Sequence, residues 1–363
     1  MDNSALILLG FLRASLGNEF NGEGVAQLSV QEWQRLVRIA FEHGVAALAM
    51  DGFGELQINS LIHSDELEDL RYQWSVRVIQ TEVQYEDKFI KASKFAEALK
   101  KRGAKCMVLK GMSFATYYRQ PKHRESGDCD VYLGADWNTG NELAVKMGGR
   151  YEFGTYKHSH LSFGGLLVEN HRYLTDFNAT KQGKKIEKLL ERVIADCDGR
   201  YIEDSYLVCP SDYFNALFLI KHAHGNFIDG GLTLRMLYDW AALLMCCHDR
   251  LDWSQLNADL SECKLLRFAS LMTSLCVKFF GVDPSNLGIG LCDDDALVNE
   301  VMEDTISGGI NAKGVENFPQ KSIRICQRFL RIWHYRTLAT ETVPRMIWNN
   351  FAFSSYMKRK IEM

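Results

Sequence analysis

The sequence predicts an α/β protein of the α+β kind: a small mixed-sheet core flanked by N-terminal and C-terminal helical regions. Two observations carry this. Short apolar runs broken by glycines and helical packets occur between about residues 85 and 180. Before and after that window, apolar residues recur at three-and-four spacing, the period of a helix packed on one side. The expected division is a helical region over 1–84, the α/β core over 85–180 and a helical domain over 181–363.

Each element has a local reason. "SVQEWQRLVRIAFEHGVAALAM" opens with Ser29 and places Glu32 three residues on, a capping box, with Gly44 as the stop. "DELEDLRYQWSVRVIQTEVQYEDKFIKASKFAEALKKRGA" reads as one long helix whose Lys100, Lys101 and Arg102 precede Gly103. "KCMVL" and "CDVYL" read as strands, "MSFATYYR" and "NTGNELAVKMGG" as helices. "YKHSHLSFGGLLVENHRYL" reads as a hairpin turning at Gly164–Gly165. The order is βαβαββ. Four further apolar-periodic stretches, from "KQGKKIEKLLERVIADC" to "WSQLNADLSECKLLRFASLMTSLCVKFFG", continue the chain as helices, and "SIRICQRFLRIWHYRTLA" closes it.

Composition narrows the function classes. The 363 residues are 47% hydrophobic and 24% charged, with a net charge of −4. That balance speaks against a dedicated nucleic-acid binder, whose domain carries a strong positive excess. Ten cysteines form no C-x-x-C pair, so a structural zinc site is not expected, and reduced, buried thiols are. Asp2 stands where a secretory leader would be basic, and no apolar run approaches a membrane span. A cytoplasmic address is the expectation.

The segment "VLKGMSFATYYRQPKHRESGDCDVYLG" carries the chemistry. Side chains alternate along a strand, so Asp128 and Asp130 share a face while Cys129 points away. Two like charges so placed repel, and a divalent cation relieves them; an all-oxygen set suits Mg²⁺ or Mn²⁺. Glu169, on the later strand with His171 on its face, is the expected third acid. Gly111 ends a strand and opens a helix, where backbone amides can approach phosphate oxygens. Ser113 can add a hydroxyl, and Lys110 and Arg124 can add charge against a triphosphate.

At these residues the chain resembles the nucleotidyltransferase superfamily of DNA polymerase beta, and more narrowly a family of uncharacterised nucleotidyltransferases. The matching segments are "LKG" (Leu109 to Gly111), Arg124, "DCDVYL" and "ENH" (Glu169 and His171). "EWQRLVRIAFEHGVAAL" and "HAHGNFIDGGLTLRMLYDWAALL" are similar to that family's flanking helices, so the resemblance runs to about residue 245. It implies a nucleotidyltransferase core in which Asp128, Asp130 and Glu169 hold the metal and Glu169 also serves as base. Lys110, Gly111, Ser113, Arg124 and His171 would contact the nucleotide. Met112 separates Gly111 from Ser113, where the superfamily has the two motif residues adjacent. The implied partners are an NTP and a small-molecule or protein acceptor; nucleic acid is disfavoured. A non-catalytic nucleotide- or protein-binding module and a toxin–antitoxin component stay open beside the enzyme.

Other candidates have plainer readings. His222 and His224, two apart on a helix, cannot share a face and are expected to cap or to bond within the core, with a rim position for one as the alternative. Arg235 and Asp239, four apart, can pair along their helix or bridge regions. The basic, aromatic stretch from Lys321 to Lys360 reads as an amphipathic helix with the acidic "CDDDALVNEVMEDT" as its charge partner, in preference to a single-strand binding surface.

Overall fold

A computed structural model describes residues 1–56, 65–153, 157–175, 181–308, 318–341 and 344. Four helices lead: α1 (Asn3–Ser15), α2 (Val30–Glu42), α3 (Ala46–Glu55) and α4 (Asp65–Lys100). The core follows with β1 (Cys106–Val108), α5 (Gly111–Ala115), β2 (Cys129–Tyr132), α6 (Trp137–Lys146), β3 (Arg150–Phe153), β4 (His158–Phe163) and β5 (Leu166–His171). Then come α7 (Lys181–Ala195), β6 (Arg200–Tyr201), β7 (Leu207–Cys209), α8 (Asp212–Asp229), α9 (Leu234–Cys247), α10 (Trp253–Glu262), α11 (Leu266–Leu275), α12 (Asp295–Ile306) and α13 (Phe318–His334). No described helix is long and apolar enough to cross a membrane.

The mixed α/β class expected from the sequence is the class observed. The sheet has seven strands in the order β3-β4-β5-β2-β1-β7-β6, with β2/β5 and β1/β7 parallel and the other pairs antiparallel. Three of these strands were not expected. All four residues of β3 are exposed, so it lacks the alternation that marks a half-buried strand. β6 and β7, from beyond residue 180, are two and three residues long and extend the sheet past β1. Such lengths leave no periodicity to read.

Local signals that were legible have their expected outcomes. Ser29 and Glu32 form both halves of the capping box. Gly164 (φ 53°) and Gly165 (φ 78°) both turn left-handed, the conformation that a two-residue I′ hairpin requires. The long stretch over 253–281 is interrupted instead of continuous. Lys264, at φ 57°, separates α10 from α11, and Cys276–Phe280 winds as a π-helix ending at Gly281.

The sheet separates two apolar cores. Cys129, Val131 and Val168 face α4 and α6, joining Phe95, Leu99 and Leu143 in one cluster. The alternate residues face a larger cluster in which α1–α3 pack with α8–α12 through Phe11, Trp33, Trp240 and Phe268. On that second side, β2 and β5 do not complete an apolar face. They carry acids and an imidazole.

Candidate functional site

Strand register builds the site. In the parallel β2/β5 pair Asp130 lies opposite Glu169 and Tyr132 opposite His171, so partner side chains leave the sheet on one face. Asp128 precedes β2 by one residue and shares that face by alternation. Its neighbour Cys129 and the opposed Val168 are buried on the other. On β4, His160 lies opposite Glu169 and His158 opposite His171. The face thus holds three carboxylates and three imidazoles.

The charges are unevenly offset. Asp130, only 5% exposed, accepts from Lys110 Nζ at 2.6 Å and from His171 Nε2 at 2.8 Å. Burial pushes its carboxyl upward, but Lys110 and His171 outweigh that and hold it well below the usual carboxylate range. Asp128 has no such partner. Partial desolvation, then the charges of Asp130 and Glu169, raise its carboxyl above the ordinary value. Glu169 is lowered, first by its interaction with His171, whose Nε2 is 3.4 Å away. The fixed cations leave this trio over-supplied with negative charge, which suits a bound cation.

Lys110 reaches Asp130 from a strained backbone. Its φ of 47° and ψ of −119° lie outside the regions a side-chain-bearing residue prefers. The conformation is pinned on both sides: Leu109 N donates to Asp130 O at 2.9 Å, and Phe114 N donates to Lys110 O at 2.7 Å. Strain held this way concentrates at functional sites. Gly111 follows as the first residue of α5.

Ser113 and Arg124 hydrogen-bond to other partners, though Arg124 is near enough for Asp130 to act on its charge. Ser113 is fully buried, its hydroxyl 3.1 Å from Asn215 Oδ1 and 3.2 Å from Cys209 Sγ, on the side of β7 and α8. Arg124 is buried in a two-pronged pair with Asp239, Nε to Oδ1 at 2.7 Å and Nη2 to Oδ2 at 2.8 Å. Tyr118 adds a third bond to Asp239. The α9 carboxylate therefore binds the segment before β2, and Arg235 turns to the Glu125 carbonyl. The two α8 histidines divide: His224 bonds the Leu338 carbonyl, whereas His222 is close enough for Lys110 and Asp130 to act on its charge. In the basic stretch, Arg331 pairs with Asp304 at 2.7 Å, an internal partner from the acidic segment; Arg345, Trp348, Phe351, Lys358, Arg359 and Lys360 lie outside the described residues.

Sequence reasoning missed two side chains here. Lys88 on α4 donates to the Ser126 carbonyl and lies within reach of Asp128's charge. Nothing in its helical surroundings marks it. His158 was signalled by "HSH", which puts His158 and His160 on one strand face, but only the hairpin register sets it opposite His171.

Neither curated proteins nor solved structures match the chain, but the model of a protein family does. It matches residues 29–281, spanning every element that builds the acidic face, from α4 through β5, and parts of the helical segments on either side. The chain belongs to the family of uncharacterised nucleotidyltransferases.

Proposed function

We propose that the chain transfers a nucleoside monophosphate from an NTP to a hydroxyl of a small-molecule or protein acceptor, with Mg²⁺ (or Mn²⁺) held by Asp128, Asp130 and Glu169. The observation that carries this is the β2/β5 register, which opposes Asp130 and Glu169 on a face that already bears Asp128. The donor set fits the cation: carboxylate oxygens suit a hard ion, and Asp128's raised carboxyl marks acidic charge that Lys110 and Lys88 do not fully offset. When bound, the cations supply neutralisation of the triphosphate and activation of the hydroxyl.

The chain's own groups divide the remaining work. Glu169 lies beside the aspartates, ionised and placed to take the acceptor's proton, although its lowered carboxyl makes it a weak base that depends on the cation to acidify the hydroxyl. His171, fully buried, holds Asp130 in orientation through its 2.8 Å bond. Gly111 gives the phosphates a close approach to backbone. The free protein has no other need of glycine there: its φ is not positive, and an added Cβ would lie in ordinary contact, 3.7 Å from Ser126 Cβ. Lys110 moves its charge from Asp130 to phosphate when the nucleotide enters. Ser113 and Arg124 are bonded to buried partners in the free protein and would act at a distance from the phosphates.

A second reading, a nucleotide-binding module without turnover, is favoured by one observation. Lys110 already offsets Asp130 at 2.6 Å, as it would in a site that needs one cation fewer. The double variant Asp128→Asn/Asp130→Asn decides the first reading: Mg²⁺-dependent NTP turnover should fall by at least about 10³-fold. Unchanged turnover overturns it. Calorimetric binding of ATP with Mg²⁺ that yields no nucleotide adduct by mass spectrometry leaves the module.

A further inference from the structure

Next to the acids lies a group of different donor chemistry. One ligand atom each from His158, Glu169 and His171 lies within 4.8 Å of the others. His171 Nε2 is 3.4 Å from Glu169 Oε2, and His158 Nε2 is 3.6 Å from Glu169 Oε1. Ligands around one cation at bond lengths of about 2.0–2.1 Å stand roughly 3.0–3.5 Å apart, so the three, now within 4.8 Å of one another, must draw together to share an ion.

The rest of each imidazole fits that role. His171 Nδ1 lies 3.3 Å from the Tyr173 carbonyl, the kind of outer partner that fixes the ring of a ligating histidine. His158 is more telling. Its Nδ1 is buried without a hydrogen-bond partner, and its Nε2 has Glu169 only at 3.6 Å, beyond hydrogen-bond reach. Buried polar atoms are almost always satisfied, so an unpartnered ring nitrogen here asks for an explanation. An imidazole kept beside a carboxylate, with no hydrogen bond of its own, is placed as a ligand.

From this geometry we infer that His158, Glu169 and His171 form a two-histidine, one-carboxylate site for a single borderline divalent cation of the Zn²⁺ class. Nitrogen donors select such an ion over Mg²⁺, and three protein ligands leave a position open for water or a substrate oxygen. The cation takes the place of the proton that His171 Nε2 shares with Asp130; in the nucleotide-free chain Asp130 keeps Lys110. Glu169 then stands between an all-oxygen position and an imidazole-bearing one. The site rests on the hairpin's register and not on nucleotidyl transfer, so each can fail alone.

The test uses the full chain, stripped with a chelator and titrated with Co²⁺ as a spectroscopic stand-in. Wild type should bind one equivalent with a visible ligand-field band, yield it to stoichiometric Zn²⁺ and retain it in a large excess of Mg²⁺. His158→Ala should weaken Co²⁺ by at least about 100-fold, since even outer-sphere partners of a metal cost 10–100-fold. His158→Asn keeps a polar side chain of smaller size and should lose the ion equally, which covers the case in which the alanine variant does not fold. Asp128→Asn should keep the band while losing NTP turnover, separating this site from the reaction. Wild-type Co²⁺ affinity in a folded His158 variant, or displacement by Mg²⁺ at concentrations comparable to Co²⁺, overturns the inference.

Discussion

Asp130 and Asp239 are equally buried, at 5% and 4% exposure, and each is bonded to a cation. Their surroundings differ. Asp239 meets a guanidinium with both oxygens and adds the Tyr118 hydroxyl, three bonds in all, with no second acid in its hydrogen-bond set. Asp130 meets a lysine and a histidine through the same oxygen, Oδ1, and shares its face with Asp128 and Glu169. A completed pair closes a structure; a site with more acids than cations waits for something else. Burial of a carboxylate does not separate the two cases, but the count of partners around it does.

The comparison breaks most visibly in stability. Asp239→Asn leaves Arg124 buried without its counter-charge and should cost about 3–5 kcal/mol, measured by chemical denaturation. Asp130→Asn removes one member of a repelling trio, so relief from Asp128 and Glu169 offsets part of what Lys110 loses. Its cost should be clearly smaller, while turnover falls by about 10³-fold. Equal destabilisation by the two variants would mean that the Lys110–Asp130 pair is structural after all, and the contrast would fail.

Gly111→Ala sharpens the same contrast from the ligand's side. Nothing in the free chain resists a methyl group there, and replacing glycine at a helical position stabilises by roughly 0.5–1 kcal/mol. The melting temperature should therefore hold or rise. Calorimetric affinity for an NTP with Mg²⁺ should drop about tenfold, or 1.4 kcal/mol, because the methyl group occupies the phosphates' approach. Undiminished affinity would remove Gly111 from the site.

What the sequence disclosed follows the range of the forces involved. The acid-x-acid and E-x-H alternations, the Gly164–Gly165 turn and the Ser29–Glu32 box are set by neighbours a few residues away, and they read correctly as local structure. β3 is wholly exposed and shows no alternation, β6 and β7 carry too few residues to show a period, and β7 is joined to the sheet by β1, about a hundred residues earlier. Ser113 and Arg124 illustrate a second limit. A motif places a backbone segment, but the direction of each side chain depends on what packs behind it, here Asn215 from α8 and Asp239 from α9. Lys88, outside any motif, and His158, signalled only by its alternation with His160, mark the reverse case: residues that α4 and the β4–β5 register deliver to the acidic face.

The smallest expected effect lies at the near end of that same segment. His123 donates from both ring nitrogens when protonated, with Asp51 Oδ2 on α3 at 2.7 Å from Nδ1 and Glu82 Oε1 on α4 at 2.7 Å from Nε2. Burial lowers its pKa, but Asp51 and then Glu82 outweigh burial and raise it above the ordinary histidine value. A raised folded-state pKa gives stability that is complete below the unfolded value of about 6.5 and is lost as pH climbs through the folded one. Wild type should therefore exceed His123→Gln by an amount on the order of 1 kcal/mol at mildly acidic pH. That margin should shrink toward pH 9 in parallel denaturation series. A margin that stays constant or widens with pH would show that His123 ties the two helices to the loop as a neutral ring, without the charge that makes the Asp239 clamp strong.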